Sequence, residues 1–337
     1  MGWNVTLSFE EYTRLIGMDV SPDLRERIDK AFYIIKNGGL DRYAMLNHNY
    51  LGKCPLQRDD GLCAIQKELG EEYLPLICRL YPRNIVFCAL NEGALSNSCE
   101  GVIDLLVSIK DGLGVDEIDS PFAKEIKVNE DYKIMQDNCL NVLKDRSLTL
   151  EMRLVKLGEM LGLKVEHFKE YEKQDAEIFE TMLEIVNHVE NYSPSFKEYS
   201  IISKQELNIL SNGYDFNYIS QRYEKAKQSF FKNFPDCQIY FENIMINHLF
   251  YTRFPYSDDK NETLLEKYSE LCSVFLAYKF VLIAYLEDKT SIDDFVNCTV
   301  GLFRCLEHSN ASKVILNELK KLGKMSYSNL VKLINNI

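Results

Sequence analysis

From about residue 126 to the end, apolar residues return at helical spacing with almost nothing to interrupt them, and a chain patterned this way can bury its apolar stripe only by forming helices. The run Leu150 to Gly158 is one amphipathic piece, and Phe168, Ile178, Met182, Ile185 and Val189 continue in another. Tyr218, Tyr223, Phe230 and Phe231 mark a third, ended near Pro235. Ile244, His248, Phe250 and Tyr251 mark a fourth, ended by Pro255. Segments Leu264 to Leu286, Ile292 to Leu306 and Ser312 to Leu322 complete the set. With 16 Gly and 8 Pro in 337 residues, the chain lacks the turn-formers that a strand-rich sandwich needs. No solenoid-type repeat is present.

The N-terminal part opens with helix signals too. Ser21-Pro22 places a capping hydroxyl before a first-turn proline, Ile28, Phe32 and Ile35 follow at helical spacing, and Gly38-Gly39 closes the segment. Residues 40 to 98 differ. Gly, Pro and Asp break them into short pieces, and Asn84 to Leu90 followed by Asn91-Glu92-Gly93 resembles a strand entering a turn. The acidic stretch 110–126, with Pro121, is the best boundary. These patterns predict a mainly α protein: a small cysteine-bearing α+β part over 1–125 and a helical, bundle-like body over 126–337.

A net charge of −12 argues against nucleic acid, whose phosphates call for a basic face. It is compatible with a cationic substrate. No basic and apolar leader precedes Val5, and the most apolar stretch, Leu271 to Leu286, is interrupted by Lys279. It reads as a buried helix, with no membrane span. The expected location is the cytoplasm, where disulfides are rare and clustered cysteines point to metal or catalysis.

Five of the ten cysteines fall between Cys54 and Cys99. Cys139, Cys237, Cys272, Cys298 and Cys305 sit inside helical patterns, where burial is the default, and Cys88 faces one side of the apparent strand as a core residue. That leaves Cys54-Pro55, Gly61-Leu62-Cys63, Cys78-Arg79-Leu80-Tyr81-Pro82-Arg83 and Ser98-Cys99-Glu100, separated by eight, fourteen and twenty residues. No pair has the two-residue gap of a zinc ribbon. Thiolates select iron–sulfur clusters, zinc or copper(I), and a cluster held by about four of them tolerates irregular spacing. Cys54, Cys63, Cys78 and Cys99 are therefore the candidate metal ligands. Arg79 and Arg83, beside one of them, are placed to lower thiolate pKa and offset cluster charge.

The run from Cys54 to Arg83 resembles the signature of the flagellin lysine-N-methylase family, which is related to small proteins described as zinc- or iron-chelating. Cys54, Cys63 and Cys78 map onto its CP…C…CR-x-x-P pattern, and Ser98-Cys99-Glu100 is similar to its Ser-Cys-Pro-Glu element without the proline. Gly2-Trp3, the run Arg153 to Gly158, and Glu242-Asn243 through His248 with Phe254-Pro255-Tyr256 extend the resemblance over most of the chain. The resemblance implies methyl transfer from S-adenosylmethionine to lysines of flagellin and a four-iron four-sulfur cluster, with zinc as the lesser alternative. The sequence has no Gly-rich dinucleotide fingerprint that would locate the methyl donor.

Family members carry a cysteine-rich segment ending in Cys-Cys before Gly-Trp, and here Met1 precedes Gly2-Trp3 directly, so an incomplete ligand set is expected. Because methyl transfer needs a neutral amine, Asp60, Tyr81 and Glu100 are the candidate proton acceptors near the cysteines. His248, on an apolar helix beside Asn243 and Asn247, reads as a satisfied core histidine. A non-catalytic metal-binding or protein-interaction module is the alternative function.

Overall fold

The computed structural model describes residues 5–50, 52–87, 91–119, 125, 129–165, 174–209, 215–257, 259 and 261–337. Fifteen α-helices and five short strands run through them, a mainly α fold. The chain divides into two compact units, Met1–Tyr81 and Pro82–Ile337. The division falls well before the boundary read from the acidic stretch. The helix Glu100–Ser108 is the reason: it packs on the helices Cys237–Tyr251 and Ile292–Leu306 and buries Val102, Ile103, Leu106 and Val107 in the large core.

In the first unit, strands Thr6–Leu7, Ala44–Leu46 and Phe32–Ile34 form an antiparallel sheet with Ala44–Leu46 in the middle. Helix Phe9–Ile16 starts at a capping box, Ser8 bonding the N–H of Glu11 while Glu11 bonds that of Ser8. Helix Pro22–Ala31 starts at Ser21 with Pro22 in its first turn. Leu7, Leu15, Leu24, Ile28, Leu56 and Ile65 form its own core.

The second unit opens with an antiparallel hairpin, Arg83–Phe87 against Asn91–Leu95, with Arg83 opposite Leu95 and Phe87 opposite Asn91. Asn91-Glu92-Gly93, read from sequence as a turn, begins the return strand. The turn and Cys88 lie outside the described residues.

The centre of this unit is the helix Leu264–Tyr285, packed against Pro194–Glu206, Phe216–Asn233, Ile292–Leu306, Ala311–Lys321 and Tyr327–Asn336. It is long and apolar enough to cross a membrane, yet 89% of its most apolar window is buried inside the unit. From Leu271 to Ala284 every residue is buried, so this part of the helix shows no polar face. Its one deeply buried cation, Lys279, reaches Glu151 Oε1 at 2.6 Å, as a buried charge must.

Helix Leu150–Met160 needs Gly158. Tyr268 and Tyr327 donate their hydroxyls to Leu154 O and Val155 O at 2.8 and 2.7 Å, so both rings lie against this turn. A Cβ at Gly158 would meet the Tyr327 ring first and the Tyr268 ring next. Alanine normally gains about 1 kcal/mol over glycine inside a helix, but overpacking a core costs about 1–3 kcal/mol. Gly158→Ala is expected to lower the urea midpoint, and an unchanged or higher midpoint would show that the two rings move aside freely.

Candidate functional site

In the first unit, a compact loop joins two of the predicted thiols. Gln57 N–H donates to Cys54 O and Gly61 N–H to Arg58 O, at 3.0 Å each, and Gly61 turns the chain with φ +82°. Arg58 and Leu62 then pair, Ala64 N–H donates to Leu56 O, and Gln57 bridges to Cys63. The loop thus doubles back and sets Cys63 beside Cys54. Cys63 is also the residue before helix Ala64–Leu69.

Cys78 arrives from further along the chain, in the short helix Leu76–Leu80. That helix is fastened by Leu76 N–H to Glu11 Oε1 at 2.7 Å, which is the second use of the Glu11 carboxylate after the capping box.

The three sulfurs feel one another. Burial pushes the Cys54 thiol up and a charge on Cys63 pushes it further, while hydrogen bonds from the backbone of Leu56 and Gln57 favour its thiolate. Cys78 is pushed up to about 12, first by desolvation and then by Cys54, Cys63 and Glu11. Because the residue as a whole is exposed, the like charges are the more telling cause. All three are free thiols. Among the described residues no three His, Cys, Asp or Glu side chains form a set that could hold a metal ion as they stand.

In its chemistry the donor set fits a soft cation. The like charges that help to raise Cys54 and Cys78 would be relieved by a positive charge beside them. Arg79, next to Cys78, keeps a buried Nε with no hydrogen-bond partner, a donor suited to a thiolate sulfur.

The other predicted positions are divided between the two units. Asp60 accepts the Leu62 N–H at the loop turn and pairs with Lys67 at 2.8 Å and Arg58 at 3.4 Å. The Lys67 hydrogen bond leads in holding its pKa down to about 2, and so acidic a carboxyl makes a weak base at neutral pH. Tyr81, exposed, follows the Leu76–Leu80 helix and ends the first unit. Arg83, Cys99 and Glu100 belong to the second unit. Arg83 is exposed at the start of its strand. Cys99 is half-buried against the large core, at the N-cap of the helix that exposed Glu100 begins.

The second unit holds a buried polar network that the sequence only partly shows. Along helix Cys237–Tyr251, Glu242, Asn243, Asn247 and His248 are all buried. Glu242 accepts from Arg153 Nη1 at 2.6 Å and Arg146 Nη2 at 2.9 Å. Asn243 donates to Leu106 O and Ile109 O at 2.8 and 2.9 Å, tying down the end of the Glu100–Ser108 helix, and accepts from Leu113 N–H. Asn247 donates to Leu95 O and Asn97 Oδ1 at 2.6 and 2.7 Å.

His248 Nδ1 lies 3.1 Å from Glu307 Oε1, as a partnered core histidine should. Glu307 Oε2 accepts from Ser96 Oγ at 2.7 Å, and His308 Nε2 lies 2.9 and 2.8 Å from the hydroxyls of Ser96 and Ser98. Desolvation holds His308 down to about 4, so its ring is neutral at neutral pH. A cavity of about 110 Å³ opens beside His248 and Glu307. Sequence reasoning passed over Ser96, Ser98, Glu307 and His308. The one available signal was an acid and a histidine directly after the apolar run that ends at Leu306.

Residues 136–334 match the family model described as the FliB lysine N-methylase C-terminal domain. No curated protein and no solved structure matches the chain. The matched range contains Glu242, His248, Glu307 and the whole lining of the cavity, and none of the four candidate metal ligands. The match spans more than half of the sequence, and the chain belongs to the FliB lysine N-methylase family.

Proposed function

We propose that this chain transfers methyl groups from S-adenosylmethionine to lysine side chains of flagellin, and that Cys54, Cys63 and Cys78 bind an iron–sulfur cluster or, as the lesser alternative, zinc. The observation that carries the activity is the family match over residues 136–334. The metal is supported by the Cys54 and Cys78 thiols, which come from distant points of the sequence and are raised by burial and in part by the charge of Cys63.

Methyl transfer to an amine forms an N–C bond as the C–S bond of the sulfonium breaks, and the nitrogen must first lose a proton. The chain has to accept that proton, exclude water and align the nitrogen. Among the positions expected near the cysteines, Asp60 is occupied by Lys67 and Arg58, which leaves Tyr81 as the acceptor within the first unit on that reading. A bound cluster would supply electron-transfer or Lewis-acid chemistry. Cys54, Cys63 and Cys78 would hold it, with Arg79 offsetting its charge. The Leu56 and Gln57 N–H groups already favour the Cys54 thiolate. The cytoplasm is the matching compartment, because it keeps such thiols reduced. The net charge of −12 favours approach to a lysine-bearing surface.

Anaerobically prepared protein supplied with iron and sulfide is expected to release S-adenosylhomocysteine when given S-adenosylmethionine and flagellin, and to release none with lysine-acetylated flagellin. No release with several unmodified flagellins would favour a non-catalytic metal-binding module instead.

A further inference from the structure

The sheet of the first unit has an open edge. In the order Thr6–Leu7, Ala44–Leu46, Phe32–Ile34, the last strand has a neighbour on one side only. Its bonds to that neighbour run through alternate residues. Asn47 N–H donates to Ala31 O at 2.7 Å and Ile35 N–H to Tyr43 O at 2.9 Å, with Tyr33 opposite Met45 between them. In an antiparallel ladder the intervening residues turn their backbone groups the other way. Phe32 and Ile34 therefore point their N–H and C=O groups out from the sheet, and among the described residues nothing beyond the sheet bonds them.

The side chains along this edge are apolar and uncovered. Tyr33 is 48% exposed, Ile34 55%, and Leu40, in the connection that follows, 71%. Ile34 shares a face with Phe32, which packs on the unit's core, yet it stands clear of that core. Natural edge strands are blunted by charge, proline, a bulge or short length, and Phe32-Tyr33-Ile34 has only the last of these.

Charge selects the occupant. The register that sets Ile34 opposite Ala44 and bonds Ile35 to Tyr43 leads next to Lys36 and Arg42. Both are exposed, and neither forms an ion pair among the described residues. Asp41, also exposed, partners neither. Two neighbouring cations without a counter-charge repel each other and favour an arriving carboxylate. In a chain of net charge −12 this edge is an exception. The same edge of a second copy brings two more cations and no acid within the strand, so it is the poorer match.

We infer that Phe32–Ile34 is a docking edge for an extended segment of a partner protein, apolar at alternate residues and carrying a carboxylate that meets Lys36 and Arg42. The segment adds a fourth strand to the sheet, its backbone bonding Phe32 and Ile34 and its apolar side chains covering Tyr33 and Ile34. Nothing in this depends on the methylase reading.

The test titrates the full chain with a fluorescein-labelled peptide of alternating valine and threonine that has a glutamate at each end, followed by fluorescence anisotropy. The control peptide has a lysine at each end. Saturable binding is expected, roughly tenfold or more tighter than the control's, and Lys36→Glu with Arg42→Glu should reverse that preference. Ile34→Pro removes an outward N–H that the sheet does not use, as an edge strand tolerates, and should weaken binding by roughly tenfold or more. Hydrogen exchange at Ile35 and Asn47 checks that the sheet of this variant is intact. In the wild type, exchange at Ile34 should slow when the peptide is bound. No saturable binding by the wild type, equal affinity for the two peptides, or unchanged binding by the folded Ile34→Pro variant overturns the inference. So does self-association of the peptide-free chain in sedimentation that Ile34→Pro abolishes, because a second copy is then the occupant.

Discussion

Replacing Glu242 with glutamine is expected to destabilise the second unit by about 3 kcal/mol or more, the range seen when one partner of a buried ion pair is removed. The Glu242 and Arg153 side chains are 2% and 7% exposed, so the variant leaves the Arg153 charge buried opposite a neutral amide. Arg146, whose side chain is 40% exposed, can turn to water and contributes less. Arg153 also donates to Leu143 O and Leu148 O, so its loss would free the turn that leads into the Leu150–Met160 helix.

Glu242→Gln should therefore lower the urea midpoint far more than Asp145→Asn, which breaks an exposed pair with Lys156. Joint replacement by Glu242→Leu and Arg153→Met should recover much of the loss. A midpoint within about 1 kcal/mol of wild type for Glu242→Gln would mean that the pair is not buried in solution.

The same pair gives a sign for pH. Burial pushes the Glu242 carboxyl up, but the hydrogen bonds and charges of Arg146 and Arg153 outweigh it, and its pKa lies below the ordinary carboxylate value. A group held lower in the folded state stabilises above its unfolded pKa, and that stability is lost as the pH falls through the folded value. Wild type should thus weaken on acidification below the carboxylate range, and Glu242→Gln should lose that part of the slope.

The second large effect concerns the thiols. Cys54→Ser, Cys63→Ser and Cys78→Ser are each expected to cut bound iron or zinc by roughly tenfold or more, because a hydroxyl is a poor ligand for a soft cation. Loading should release protons, since Cys54 and Cys78 are held as neutral thiols and bind metal as thiolates. Cys139→Ser and Cys272→Ser, both 0% exposed in the large core, should leave metal content unchanged and lower stability instead. Elemental analysis and the thiolate charge-transfer absorbance separate the two classes. Equal metal content in all five variants would remove the cysteine site.

Much of the helical body was legible because its signals are local. The apolar faces of Ile292–Leu306 and Leu264–Tyr285 stand in the sequence, and the Pro after Asn233 and the one after Tyr251 follow helix ends closely. Helix Phe9–Ile16 was missed although Ser8 and Glu11 spell its capping box. The division after Tyr81 differs from the boundary read at 110–126 because Glu100–Ser108 packs on Cys237–Tyr251, more than a hundred residues away, and no local pattern reports that.

The candidate site shows the same divide. The approach of Cys54 and Cys63 follows from a turn at Asp60-Gly61 that composition already marks. The link from Glu307 through Ser96 to His308 joins residues about 210 apart in sequence, and periodicity cannot see it. Asp60 was chosen for its neighbourhood to the cysteines, but its loop uses it as a turn-former and an ion-pair partner.

The most direct measurement of the central claim is the intact mass of flagellin after incubation with S-adenosylmethionine and this chain, prepared anaerobically with iron and sulfide. The expected spectrum shows one-methyl increments that peptide mapping places on lysines, and none when Cys54 and Cys63 are both serine. An unshifted flagellin with metal-loaded wild-type protein would contradict the methylase reading, and equal methylation by the double variant would contradict the role given to the thiols.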